Sequence, residues 1–139
     1  MKSGDGIDHQ LCQKLEEAAR ADVCLLMLLN SAAVNAVLEQ LTPHLSAGRI
    51  ILDMGSSDPA QSRKIAPRLA AEGIGWVDAP VSGGPEGASK GTLAIMAGGT
   101  ENDFSRVKPI LDILGGNVVH VGGPGDFEVS GRIIYADEL

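Results

Sequence analysis

The sequence predicts an α/β fold in which a mainly parallel sheet of about five strands is flanked by helices. Two unbroken apolar runs, at 22–29 and 49–54, are typical of strands buried on both faces, as in parallel sheets. Between them, residues 32–41 place apolar side chains at helical spacing. Strand and helix patterns alternate in the order β-α-β-α-β-loop-β-α-β. That order favours a mainly parallel sheet covered by helices.

The first elements begin this alternation. Residues 9–20 predict a helix with one apolar face, and the strand at 22–29 follows it. Ser31 is a suitable N-cap for the helix at 32–41. Pro43 ends that helix because proline cannot continue it.

The second strand, at 49–54, leads into a helix whose start is marked in the sequence. Asp58 occupies the N-cap position and Pro59 the first helical position. The helix extends over 59–72, and we expect Pro67 to kink or break it.

Three further strands and one helix complete the predicted sheet. The strands lie at 74–79, 91–97 and 117–121. Thr100 caps a helix over 101–114 whose apolar residues recur on one side. A glycine-rich loop joins the third and fourth strands.

The composition indicates one globular domain and excludes several functions. The chain has 139 residues, 44% of them hydrophobic, and a net charge of −7, which repels nucleic acid phosphates. No apolar run approaches the ~20 residues of a membrane span. We see no apolar h-region of a signal peptide, so we expect a cytoplasmic protein with Cys12 and Cys24 as reduced thiols. His9 and Cys12 have no second ligand pair, so no metal site is predicted.

The stretch DAPVSGGPEGASKGTLAIMAGG, residues 78–99, is the candidate functional segment. In open α/β sheets, ligands bind beyond the carboxyl ends of the strands, where this segment begins. Glycines let backbone N–H groups approach an anion, and the Ser82 hydroxyl adds a donor. Ser82, Gly83 and Gly84 are thus suited to hold a carboxylate or phosphate. The alternative is that the glycines only shape tight turns.

The same stretch resembles the substrate-loop signature of the β-hydroxyacid dehydrogenases. These include 3-hydroxyisobutyrate dehydrogenase and tartronate semialdehyde reductase, and they are related to 6-phosphogluconate dehydrogenase. ADVCLLMLLNSAAVNAVL resembles the family's strand, loop and helix beneath the cofactor, and ILDMGSSDP resembles its next cofactor-edge motif. The resemblance covers roughly 21–121. It implies a Rossmann-like domain truncated at both ends, so that 1–139 is a single partial dinucleotide-binding domain with a divergent tail at 122–139.

The resemblance implies roles for particular residues. The family's Ser-Gly-Gly segment holds the substrate carboxylate, which points to Ser82, Gly83 and Gly84 here. Contacts with NAD or NADP are implied for a second group of positions, although weak or no binding is expected. That group is Leu28, Leu29, Ala33 and Ser56. Leu29 replaces the family's usual proline, and Ser56 serves equally well, on chemistry alone, in capping the next helix.

Two family motifs are not matched. The family opens with a strand and a G-x-G-x-x-G turn, which admits the pyrophosphate to a helix N-terminus. Here Gly4 and Gly6 follow no strand, and the third glycine is absent. Downstream, Gly131 stands where the family has the lysine that acts as general acid and base. No catalytic residue is therefore predicted.

Three functions stay open at this stage. We expect a fragment or remnant related to NAD(P)-dependent 3-hydroxyacid dehydrogenases, which keeps the VSGG loop and is inactive alone. The alternatives are a binding or regulatory module for a small carboxylate, and an oxidoreductase completed by self-association or by another chain. Without the glycine-motif strand, the edge of 22–29 is open. That edge predicts a homo-oligomer.

Overall fold

The computed structural model describes residues 14–55 and 58–126. Within these ranges, strands and helices alternate. The strands are β1 (Val23–Leu26), β2 (Ile50–Asp53), β3 (Gly75–Asp78), β4 (Val81–Ser82), β5 (Leu93–Gly98) and β6 (Gly115–Gly122). The helices are α1 (Leu15–Ala18), α2 (Ser31–Leu41), α3 (Pro59–Ala70), α4 (Gly84–Lys90) and α5 (Glu101–Leu114), with a 3₁₀ turn at Thr42–His44 after α2.

The described strands form one sheet that is mostly parallel. β1, β2 and β3 run parallel to one another, and β6 runs parallel to β5. Between these two groups the chain reverses. Asp78 of β3 pairs antiparallel with Gly98 of β5, and Ser82 of β4 pairs antiparallel with Ala94 of β5. The predicted α/β class and mainly parallel sheet are confirmed, and the antiparallel step is an addition to them.

The core lies on both faces of this sheet. Ile51 of β2 packs with Trp76 on the face that α2 and α3 cover. Its neighbours Ile50 and Leu52 point to the opposite face, where Val107 of α5 joins them. Successive strand residues alternate between faces, so an interior strand covered on both sides must be apolar throughout. This explains the unbroken run at 49–54.

β1 differs from β2 because only one of its faces is covered. Cys24 and Leu26 are buried on the side of α2. Leu25, Met27 and Leu29, which alternate along the chain, are 43%, 57% and 87% exposed. The prediction that 22–29 is buried on both faces is therefore wrong. Among the described residues, β1 pairs with β2 alone and forms an edge of the sheet.

Helix boundaries confirm two predicted caps. Asp58 accepts the N–H of Ala60 at 3.0 Å in front of Pro59. Thr100 accepts the N–H of Asp103 at 3.1 Å at the start of α5. Of the predicted helix at 9–20, only its later part is described, as α1. Residues 9–13 lie outside the described ranges.

Other predicted helix boundaries require correction. Asn30, rather than Ser31, caps α2, and its side chain accepts the N–H of Ala33 at 2.9 Å. α3 runs past Pro67 without a break and ends at Ala70. Proline removes one hydrogen bond from a helix, but packing of this helix on β3 keeps the turn in place.

The segment between β4 and β5 was predicted to be a loop, and this is also wrong in part. α4 forms there, between Gly83 with φ of 129° and Gly91 with φ of 68°. Only glycine adopts such positive φ values without strain, so these two residues set the start and end of the helix. The short helix turns the chain around and causes the antiparallel step into β5.

Candidate functional site

A cleft of about 390 Å³ lies beyond the carboxyl ends of β1 and β2. It brings together three segments that are distant in the sequence. Its lining consists of Met27, Leu28 and Leu29 after β1, Met54 and Gly55 after β2, and Val81 in β4. The cleft therefore joins two residues predicted to contact a cofactor, Leu28 and Leu29, to the segment that leads into Ser82.

Gly55 makes the floor of the cleft possible. A Cβ atom at this position would lie 2.4 Å from the carbonyl oxygen of Leu28 and 3.0 Å from its nitrogen. The backbones of the two loops thus touch, which only glycine allows. The Met54 N–H donates to the Leu26 carbonyl at 2.8 Å and extends the β1–β2 ladder up to this contact. Gly55 was not predicted as a site residue, although it lies inside the quoted segment ILDMGSSDP.

The loop after β1 presents an apolar surface above a capped helix. Leu29 is 87% exposed, and Leu28 and Ala33 are half-buried. The Ala33 N–H is occupied by the Asn30 side chain, so Ala33 can offer a ligand only its side chain and carbonyl. Ser31 accepts the N–H of Asp58 at 3.3 Å and links this loop to the start of α3. Ser56, which was predicted to contact the cofactor, lies outside the described residues.

The segment with Ser82 is extended and then opens into α4. Ser82 is half-buried and paired with Ala94 in the sheet, whereas Gly83 and Gly84 are exposed. Gly84 has φ of 61°, and a Cβ atom there would meet nothing within 4 Å. The backbone at Gly84 is therefore accessible to a ligand from the open side. Gly83 is tighter, since its Cβ position lies 3.2 Å from the Leu93 side chain.

Two buried carboxyl groups end β2 and β3 on this edge. Asp53 and Asp78 are Cα partners in the parallel ladder and are 0% and 1% exposed. Asp53 accepts the N–H of Gly55 at 3.1 Å, which fixes the bend at the cleft floor. Burial raises the pKa of Asp78 from 3.8 to about 6, although an N–H from Gly125 favours the charged form. The charges of Asp53 and Asp126 raise that pKa further.

Sequence reasoning gave no role to this carboxyl pair. The available signal was an acidic residue at the end of each apolar strand, in ILD and WVD. Whether such a residue is buried depends on which other parts of the chain cover the end of its strand. The local sequence pattern does not show this tertiary contact.

The described residues offer no obvious proton donor to the cleft. None of the residues that line it carries a titratable side chain. Lys90, at the end of α4, is exposed and paired with Glu86 at 2.7 Å. In the described part of the chain, no group of three or more His, Cys, Asp and Glu side chains could hold a metal ion. No helix there is long and apolar enough to span a membrane.

The sheet, its two helical layers and a cleft at the carboxyl ends of the strands define a Rossmann-like domain. Residues 4–122 match the family described as the NAD binding domain of 6-phosphogluconate dehydrogenase. The chain belongs to this family, and the resemblance inferred from the sequence is confirmed.

Individual relatives agree with this assignment. The chain is 40% identical over 120 residues to 2-(hydroxymethyl)glutarate dehydrogenase of Eubacterium barkeri, which covers 84% of this chain and 40% of that protein. It is 39% identical over 136 residues to 2-hydroxy-3-oxopropionate reductase of Escherichia coli, covering 94% and 46%. A solved structure of Mycobacterium tuberculosis 3-hydroxyisobutyrate dehydrogenase with L-serine gives a TM-score of 0.78 at 29% identity, covering 84% and 40%. The chain thus spans less than half the length of these relatives.

Proposed function

We propose that this chain carries the substrate-carboxylate loop and part of the cofactor floor of an NAD(P)-dependent hydroxyacid dehydrogenase. The observation that carries the proposal is the shared cleft. It places the loop of Leu28 and Leu29 beside Val81, one residue before Ser82. The backbone of Ser82 is therefore one residue from an apolar surface suited to a nicotinamide ring, and a carboxylate held at residues 82–84 would lie at the end of the strand that contributes Val81 to it.

The substrate side of the proposal rests on three adjacent residues. Ser82 contributes a hydroxyl donor, and Gly83 and Gly84 contribute exposed backbone without side chains. Hydrogen bonds to a charged acceptor are stronger than neutral ones, so a small carboxylate suits this segment better than an alcohol. The same arrangement supports the second candidate function, a module that binds a small carboxylate without catalysis.

The cofactor side fits a dinucleotide only in part. Leu28, Leu29 and Ala33 supply apolar contacts, and Gly55 lets the two loops that form the floor pack directly against each other. A nicotinamide cofactor bound here would supply the hydride chemistry. The sequence has no G-x-G-x-x-G turn to hold its pyrophosphate, so this chain alone should bind NAD or NADP weakly. Ser56 is included in the proposed cofactor contacts by resemblance.

We expect no turnover from the 139-residue chain by itself. Gly131 stands at the position of the family's catalytic lysine and offers no proton. Loss of a general acid typically costs ~10²–10⁴-fold in rate. The check is reduction of NAD or NADP at 340 nm with 3-hydroxyisobutyrate or glycerate. Turnover above background that Ser82→Ala abolishes would show that a second copy or another residue completes the site.

Self-association belongs to the same proposal. β1 leaves one edge and one apolar face uncovered within the described residues, at Leu25, Met27 and Leu29. Open strand edges pair readily with other strands. A homo-oligomer that covers the 22–29 edge would bury Leu25 and the open strand edge, while Leu29 stays part of the cleft.

The carboxylate site is tested by titrating the chain with 3-hydroxyisobutyrate while amide chemical shifts are recorded. We expect saturable shifts at the amides of residues 82–84. Ser82→Ala should weaken binding about 10-fold, because it removes one hydrogen bond to a charged group. Ser89→Ala, an exposed serine on α4, is the matched control and should bind like the wild type.

A second ligand tests whether the carboxylate group itself is responsible for binding. The diol 2-methyl-1,3-propanediol keeps the carbon skeleton and the hydroxyl but lacks the charge. Equal shifts with the diol, or shifts that Ser82→Ala leaves unchanged, would contradict the proposed site.

A further inference from the structure

Few contacts hold α4 against the rest of the domain. Its sequence GPEGASK contains no large apolar side chain, and Gly87 is its single buried residue. Neither apolar cluster of the core includes a residue of α4. Its ion pair between Lys90 and Glu86 is exposed, and exposed pairs contribute little. A segment with so few buried contacts opens locally, so α4 should be less stable than the sheet behind it.

Glycines stand at both ends of α4. Gly83 and Gly84, with φ of 129° and 61°, start the helix, and Gly91, with φ of 68°, follows it. Glycine adopts positive and negative φ with similar ease, so these positions can serve as hinges. The chain before the first hinge is anchored, because Ser82 pairs with Ala94 in the sheet. α4 can therefore open without separating β4 from β5.

The first hinge is also the proposed carboxylate site, and the present inference rests on that proposed function. The φ values of Gly83 and Gly84 that start α4 also set the direction of the amides offered to the ligand. A ligand that needs this direction binds the closed form of α4 more tightly than the open form. Such a ligand shifts the population toward the closed form.

We propose that α4 is a lid on the carboxylate site. A carboxylate at residues 82–84 selects the closed, helical form, and opening of residues 84–90 releases the carboxylate. Because the structure has α4 closed, stabilising the helix further changes affinity little. Amide exchange, which reports the open form directly, is therefore the sensitive readout.

Hydrogen exchange of the full chain without ligand tests whether α4 opens by itself. The amides of Gly87 and Thr92 donate to the carbonyls of Gly83 and Gly87 at 3.0 and 2.9 Å, at the two ends of the helix. After correction for intrinsic rates, their protection should be roughly 100-fold or more below that of the Val107 and Leu111 amides, buried on α5. Equal protection in the two helices would show that α4 opens only with the whole domain, and would overturn the lid.

Ala88→Gly weakens α4 without changing the ligand residues. Ala88 is exposed within the helix, and glycine there should lower the protection of Gly87 and Thr92 about 5-fold. Ala36→Gly, at an exposed position of α2, is the matched control and should leave both amides unchanged. If Ala88→Gly left both amides unchanged as well, their exchange would not come from opening of α4, contrary to the proposal.

Addition of 3-hydroxyisobutyrate tests the coupling between the lid and the site. A ligand that binds only the closed form raises protection in proportion to its saturation. At about ten times its Kd, the protection of Gly87 and Thr92 should therefore rise about 10-fold. Thr92 lies beyond the far end of α4, so a rise there reports the whole helix. The Ala19 amide, bonded to the Leu15 carbonyl at 3.1 Å in α1, is the control and should not change.

Two outcomes separate failure of the lid from failure of the site. Saturable shifts at residues 82–84 with no added protection at Thr92 would overturn the lid and leave the carboxylate site intact. Neither shifts nor added protection would overturn both.

Discussion

Replacing Gly55 with alanine is expected to lower the free energy of unfolding by about 3 kcal/mol, at the upper end of typical overpacking costs. The new Cβ would lie 2.4 Å from the Leu28 carbonyl oxygen, and both neighbours are backbone. No side chain can rotate away, so the loops after β1 and β2 must separate. The same movement would open the floor of the cleft. Denaturant unfolding followed by circular dichroism measures the loss.

Gly123→Ala is the matched control for this change. Its Cβ would meet the Asp126 side chain at 3.4 Å, an ordinary contact, and Gly123 does not have a positive φ. We expect this variant to stay within ~0.5 kcal/mol of the wild type, because the half-buried position accepts a methyl group without a clash. If Gly55→Ala unfolded at the same denaturant concentration as Gly123→Ala, the close contact between the two loops would be wrong.

Replacing Leu25 with arginine should disrupt self-association by ~100-fold or more in the association constant. In a two-fold symmetric pairing of β1 edges, each copy contributes the same patch, so one substitution places two charges in the interface. Like charges brought together at an interface cost several kcal/mol. Sedimentation of the wild type at tens of micromolar should show a dimer or a higher oligomer, and the variant should be monomeric.

Ile113→Arg controls for the general effect of replacing an exposed apolar residue. Ile113 is 75% exposed on α5, away from the β1 edge. This variant should associate like the wild type. A monomeric wild type at these concentrations would exclude the oligomer. If Ile113→Arg dissociated the oligomer and Leu25→Arg did not, the interface would lie on α5 instead of the β1 edge.

The parts of the fold that the sequence predicted are those with a local physical cause. The run at 49–54 is apolar because β2 is covered on both faces, and an unbroken apolar run is the pattern that predicts such a strand. Asp58 and Thr100 cap their helices because their side chains bond to amides two or three residues ahead. The family motifs likewise indicated the family before any geometry was known, and the match over residues 4–122 confirms it.

The parts that were missed depend on contacts between distant residues. The direction of β5 follows from α4, a helix whose glycine-rich sequence GPEGASK is typical of a loop. Asn30 and Ser31 are both good caps, and only the geometry distinguishes them. Gly55 contacts Leu28, which lies 27 positions earlier in the sequence. Buried Asp78 bonds with Gly125, which lies 47 positions later.

A crystal structure of the 139-residue chain grown with 3-hydroxyisobutyrate tests the central claim most directly, because it shows where the carboxylate lies. We expect density for the carboxylate within about 3 Å of the Ser82 hydroxyl and the backbone amides of residues 83–84. The carbon skeleton should extend toward the cleft lined by Leu28 and Val81. Ordered hydroxy acid bound elsewhere, or an empty loop at ligand concentrations that saturate the chain in solution, would contradict the account.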